Sequence, residues 1–153
     1  CEIGIDIFQP LWSERRISKG ESLNKFKRWE EIIKEATEQS ERLWMPELRR
    51  SKGVISWLKE TISNRECVSF ATTRLDKASN FQLWMEESGQ EANQLWVVIG
   101  PEGGWSSKEQ KMALDLSCCP ITLGETILRT STAAISASQL MASWRQTYDY
   151  FGR

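Results

Sequence analysis

Five consecutive apolar residues, Leu95-Trp96-Val97-Val98-Ile99, limit what this chain can fold into more than any other segment. A strand with one wet face alternates apolar and polar side chains. An unbroken run therefore predicts a strand covered on both faces, as in a parallel sheet. Gly100-Pro101-Glu102-Gly103-Gly104 follows directly, then Ser106-Ser107-Lys108-Glu109. Ser106 and Glu109 are spaced as a capping box, which starts a helix over 107–117. Cys119 to Gly124 reads as a second strand ending in glycine, and a last helix runs from about Thr132 to Phe151. Leu140, Trp144, Tyr148 and Phe151 share one stripe of that helix. Ala133, Ala134, Ser136, Ala137 and Ser138 offer a small-residue surface for close helix approach.

The upstream half fits the same plan. Ile3 to Leu11 reads as a strand up to Pro10. Between Ser22 and Leu43 the apolar Phe26, Trp29, Ile33 and Ala36 recur at helical spacing, opposite a face rich in lysine and glutamate. Val54 to Ile62 predicts a shorter helix. Cys67 to Thr72 is a β-rich run followed by a polar loop, Thr73 to Asn80. Repeated alternation of strands and helices implies an α/β fold, a parallel sheet with helices on both faces. No repeat or linker divides the 153 residues, so one domain is expected.

The chain contains no histidine, which removes Ser-His-Asp and Cys-His catalysis and His-ligated metal sites; no metal is expected. Cys1, Cys67, Cys118 and Cys119 form no C-x-x-C pair, consistent with a reduced, cytoplasmic setting. The longest apolar run, five residues, falls far short of the roughly 18 to 20 that span a bilayer, so neither a membrane partner nor a secretory segment is expected. A net charge of −1 excludes a strongly basic module. Thirteen of the 20 basic residues nevertheless lie in positions 1–65, so a polyanion would meet the N-terminal part. Arg15, Arg16, Lys19, Lys25, Lys27 and Arg28 read as phosphate contacts or as a surface that only keeps the protein soluble. Most of the eight tryptophans fall on apolar stripes and are assigned to core or subunit packing rather than base stacking.

In open parallel sheets, ligands collect outside the carboxyl ends of the strands. Three such ends carry unusual residues: Thr72-Thr73, Gly100 to Gly104, and Leu123-Gly124 leading into Thr126-Ile127-Leu128-Arg129. Glycine there lets a ligand lie against the main chain, although the same glycines also suit a plain tight turn. Neither G-x-x-x-x-G-K-[ST] nor G-x-G-x-x-G is present, so tight triphosphate binding is not expected.

Four blocks resemble the RsmE-type ribosomal RNA uridine-N3 methyltransferases of the SPOUT superfamily. They are Gly4-Ile5-Asp6 through Pro10 to Ser13-Glu14-Arg15; Trp29…Ile32…Glu35-Ala36…Glu38-Gln39…Arg42…Pro46-Glu47; Ile99 to Gly104; and Leu123-Gly124…Ile127-Leu128-Arg129-Thr130…Thr132-Ala133. They occur in the family's order over nearly the whole chain. The resemblance implies a C-terminal trefoil knot, a homodimer, and S-adenosylmethionine as cofactor. The target it implies is a uridine N3 in the 16S rRNA of the small ribosomal subunit. It also implies that a PUA-like RNA-binding domain precedes Cys1, making 1–153 the methyltransferase domain of a longer chain.

Carried over by residue, Ile99, Gly100, Pro101, Gly103 and Gly104 form one wall of the cofactor site. Leu123, Gly124, Ile127 and Leu128 form another, and Thr72 and Thr73 close the third side. With no histidine, the chemistry leaves either a carboxylate, Glu102 or Glu38, to accept the N3 proton or an arginine, Arg129 or Arg15, to stabilise charge; Arg129 and Glu102 are the catalytic candidates, with Arg129 favoured. An ordinary ion pair for Arg129 and a favourable helix-start charge for Glu102 are the plain alternatives. Glu38, Gln39 and Arg42, by composition a solvated face, become residues of the RNA site or subunit interface. Two positions depart from many relatives, Thr126 where arginine is usual and Ser131 where glutamate is usual. Ser131 reads first as the cap of the last helix, a structural role. These departures leave open another RNA target or an RNA-binding domain without transfer activity.

Overall fold

In the computed structural model, residues 1–16, 22–73, 75, 77–89, 92 and 94–151 are described, with side chains as far as residue 147. Lys19 lies outside the described residues, as do the side chains of Tyr148 and Phe151. The main sheet contains β5 (Cys67–Ala71), β6 (Ser79–Asn80), β7 (Leu95–Val98) and β8 (Cys119–Thr122). Its order is β6-β8-β5-β7 and every pairing is parallel. Strand β8, last in sequence, thus enters between β5 and β6.

Strands β5 and β7 feed two cores by simple alternation. Val68, Phe70, Trp96 and Val98 point to one side and pack with α2 (Val54–Ser63) and α4 (Ser107–Asp115). Cys67, Ala71, Leu95, Val97 and Ile99 point to the other, beneath α3 (Phe81–Ser88) and α5 (Thr130–Phe151). The continuous apolar run is therefore read correctly as a strand with two dry faces. Five of the tryptophans, Trp57, Trp84, Trp96, Trp105 and Trp144, join these cores, whereas Trp44 is 79% exposed.

The N-terminal stretch departs from the expected single strand. It forms β1 (Ile7–Phe8) and β2 (Leu11–Trp12), which pair in parallel with β3 (Glu47–Leu48) and β4 (Lys52–Gly53). Pro10, between the two pieces, has no amide to donate and contributes only its carbonyl, which accepts from Lys52. Helix α1 (Leu23–Gln39) starts at Ser22, whose hydroxyl accepts from the Lys25 amide. Helix α3 went unread in the sequence; its signal is Asn80, whose side chain accepts from the Gln82 and Leu83 amides.

Ser131 is not the cap of α5. The helix begins a residue earlier, and the Ala133 amide donates to the Arg129 carbonyl at 2.8 Å, which puts Arg129 in the capping position.

Cys118 is 3% exposed, and burial pushes its thiol from an ordinary 9.0 up to about 11. In the folded protein Cys118 should resist alkylation at about pH 8, while denaturant exposes it to reagent. The unfolded chain releases that proton first, so this group's contribution to stability falls as pH climbs from 9.0 towards about 11. Peptide mapping after iodoacetamide treatment checks the protection.

Candidate active site

Three loops leave the carboxyl ends of β5, β7 and β8 and meet around a cavity of about 750 Å³. Side-chain hydrogen bonds stitch them together. The Trp105 indole, behind the glycine turn, donates to the carbonyl of Ala71 at the end of β5 (2.9 Å). The Thr130 hydroxyl, at the start of α5, donates to the carbonyl of Gly100 (3.1 Å). The first loop is thereby fixed to the second, and the third to the second.

The glycines have separate reasons to be glycine. The Gly104 amide closes a turn onto the Pro101 carbonyl at 2.8 Å, and Gly104 itself has φ +67°, the left-handed region. At Gly100 the need is space, because a Cβ would stand 3.0 Å from Trp105 Nε1 and 3.1 Å from Cε2. Trp105 is buried and bonded, so it cannot swing away.

Ten of the eleven residues assigned to the cofactor line the cavity: Thr72 and Thr73, Ile99 to Pro101, Gly103 and Gly104, and Leu123, Ile127 and Leu128. Gly124 does not; it is exposed at φ +152°, and its amide donates to the Thr122 hydroxyl, so it shapes the turn. Glu102, at the tip of the Pro101 turn, and Arg129 both line the cavity. Among the described residues the Arg129 guanidinium has no ion-pair partner.

Thr126 and Ser131, the two departures, also line the cavity, as do Ser107 and Gln110 at the start of α4. The capping box could have pointed to those last two, because it fixes which residues stand at the helix start.

The RNA candidates separate in space. Arg15 lines the cavity, and its Nη1 donates to the Gly103 carbonyl at 3.2 Å. Arg16 lies over the Trp12 ring, 5.0 Å from its centroid. Arg42 is a brace, donating to the carbonyls of Cys1 (2.8 Å) and Ile5 (2.7 Å) and to Asp6 Oδ1 (3.3 Å). Asp6 also takes Arg145 at 2.6 Å, joining α5 to the N-terminal strands. Arg28, Glu38 and Gln39 are exposed on α1 and outside the cavity lining, and Glu38 pairs weakly with Lys34 at 3.9 Å. Among the described residues no group of three or more Cys, Asp or Glu is placed to hold a metal ion, and no helix is long and apolar enough to cross a membrane.

These features define an α/β domain with a cavity of nucleoside size at the carboxyl ends of its strands. The chain belongs to the RNA methyltransferase domain family, whose model matches residues 1–142. It is 34% identical to the ribosomal RNA small subunit methyltransferase E of Synechocystis sp., over 92% of this chain and 46% of that one. To its namesake from Aquifex aeolicus it is 29% identical, over 94% and 59%.

Two solved structures are similar as well. The Neisseria gonorrhoeae ribosomal RNA small subunit methyltransferase E, bound to S-adenosylmethionine, matches with a TM-score of 0.79 and 28% identity, over 93% of this chain and 56% of that one. A Legionella pneumophila protein in complex with the same cofactor matches with a TM-score of 0.79 and 29% identity, over 93% and 57%. The RsmE-type resemblance drawn from the four sequence blocks is borne out, and the chain spans about half the length of the relatives it matches.

Proposed function

We propose that this domain transfers a methyl group from S-adenosylmethionine to N3 of a uridine in the 16S rRNA of the small ribosomal subunit. The observation that carries the reading is the convergence of three strand-end loops, fastened by Trp105 and Thr130, on one cavity of about 750 Å³. Its volume suits a nucleoside cofactor, since small-molecule sites span roughly 300 to 1,000 Å³. Main-chain groups of the glycine turn suit an adenine edge, and Ile99, Ile127 and Leu128 supply apolar walls.

When bound, the cofactor supplies a methyl group already activated for displacement at carbon. The chain's task is alignment and charge control. Uracil N3 carries a proton at neutral pH and is a poor nucleophile until that proton leaves. Arg129 offers a planar cation to the uracil oxygens as negative charge develops, and Glu102 is the carboxylate available to take the proton.

Four further readings accompany this one. The segment leaving β8 lies against Gly100 after β8 has entered between β5 and β6, an order that supports a trefoil knot. Residues 1–153 act as one methyltransferase domain, and it works in the cytoplasm. It is a homodimer, to which the small residues of α5 contribute contact area.

Calorimetry with S-adenosylmethionine and its demethylated product, followed by mass mapping of small subunits that lack the modification, tests the function. Binding of both ligands and a methyl group on one uridine N3 is the expected result. Binding without transfer would instead mark a non-catalytic RNA-binding domain, and failure to bind either ligand would end the enzyme reading.

Gly100→Ala should weaken S-adenosylmethionine binding about tenfold, or about 1.4 kcal/mol, because the added methyl displaces Trp105 from its bond to Ala71. The same titration reads it.

A further inference from the structure

Glu109 is 3% exposed, and each of its carboxylate oxygens accepts from a main-chain amide, one close by and one far along the chain. Oε2 accepts from Ser106 at 2.9 Å and completes the capping box. Oε1 accepts from Glu14 at 2.9 Å, across 95 residues. A capping box needs only the first of these bonds. The second fastens the turn Ser13–Arg16 to the helix that follows the glycine loop.

Arg15 is the next residue. Its Cβ and main-chain oxygen lie 3.2 and 3.3 Å from where a Gly103 Cβ would be, so backbone packs on backbone at that point. One of its five N–H groups is held by the Gly103 carbonyl, which leaves four for a ligand at the cavity. An exposed arginine ordinarily samples many rotamers. This one is fixed at both ends, by the Glu14 amide and by Gly103.

We infer that Glu109 is a positioning residue: through the Glu14 amide it holds Arg15 at the rim of the cavity, where the guanidinium binds a phosphate of the target RNA strand. The inference rests on the methyltransferase reading above. It accounts for a buried carboxylate bonded outside its own helix, and it separates Arg15 from basic residues such as Arg42 that serve as internal braces.

The test is the salt dependence of binding to small ribosomal subunits lacking the modification. Arg15→Ala should reduce the slope of log affinity against log salt by about one and weaken binding across RNA sequences alike. Glu109→Gln should give the same loss of slope, and in the Glu109→Gln/Arg15→Ala double variant the losses should fail to add. Glu109→Asp, which keeps the charge, should recover part of the slope. S-adenosylmethionine affinity should stay near that of the wild type in each.

Glu14→Pro is the independent variant, and it carries the test if Glu109→Gln does not fold. It deletes the amide that Glu109 holds at long range and leaves the α4 cap untouched. Residue 14 is also the second position of a turn closed from Arg16 to Ser13, where proline is well accepted. A wild-type slope in both Glu14→Pro and folded Glu109→Gln, or in Arg15→Ala, overturns the inference while leaving the enzyme reading standing. Failure of the wild-type domain to bind the cofactor or the subunit overturns the reading beneath it.

Discussion

Replacing Arg129 with alanine is expected to lower turnover about 100-fold, with the affinity for S-adenosylmethionine close to that of the wild type. The split follows from what holds each partner. In the proposed site the cofactor walls are main-chain groups of the Gly100 turn and apolar side chains, none of which changes in the variant. The position of Arg129 is fixed independently of its side chain. Its carbonyl caps α5 by accepting from Ala133 at 2.8 Å, and its neighbour Thr130 is tied to Gly100.

Truncation therefore removes a cation from the cavity without loosening the loop. Negative charge on a deprotonated uracil spreads over two oxygens, which a planar guanidinium can pair with and a single ammonium matches less well. Arg129→Lys should accordingly recover only part of the rate. With the cation gone, ionisation of N3 depends more on bulk pH, so transfer by Arg129→Ala should rise more steeply with pH than transfer by the wild type. Single-turnover transfer across a pH series, beside a cofactor titration, measures both. Equal rates for Arg129→Ala and the wild type would assign Arg129 to α5 alone.

Much of this site is legible before any coordinates, and the illegible part has a physical pattern. Cavities walled by main chain announce themselves through glycine and through where strands stop, so the place of Gly100, Gly103 and Gly104 in the cavity lining is legible from sequence alone. Gly124, chosen by the same logic, lies outside that lining: a positive φ explains a glycine equally well when it only shapes a turn.

Side chains that stitch loops together carry no local signature. Trp105 looks like one more core aromatic and Thr130 like a helix-start residue, and only the fold shows that they join strand ends far apart in sequence. The basic residues show the same limit. The sequence offers both Arg15 and Arg42 as RNA candidates, the first by charge and the second by resemblance, whereas packing leaves one at the cavity and turns the other into a clasp for the N-terminal strands. Strand order is the least legible level. Nothing in the pattern of β5, β6 and β8 says that the last enters between the first two, because that choice depends on which edges remain open as the chain folds.

The largest stability loss is expected from Gly89→Ala, at a position with no part in the cavity. Gly89 follows α3, and its amide donates to the Met85 carbonyl at 2.9 Å. Its φ of −83° is open to any residue, so the demand for glycine is purely one of space. A methyl group would stand 2.6 Å from the Met85 oxygen, 2.8 Å from the Trp144 ring and 2.9 Å from a Leu95 methyl. The first is backbone and cannot turn aside; the other two are partly buried side chains packed on the core between α3, α5 and β7.

Relief requires α3 and α5 to part, and the cost should be about 3 kcal/mol or more. For a domain of this size that corresponds to a fall in Tm of roughly 6 to 12 °C. Gly53→Ala is the matched control, since its Cβ would meet only Ser56 Oγ at 4.0 Å, and it should stay within about 1 kcal/mol of the wild type. Urea unfolding followed by tryptophan fluorescence distinguishes the two. Because Thr130, at the other end of α5, fastens the helix to Gly100, a displaced α5 should also weaken cofactor binding in Gly89→Ala even where the variant remains folded. Wild-type stability in that variant would mean that α3 and α5 are packed more loosely than these distances allow.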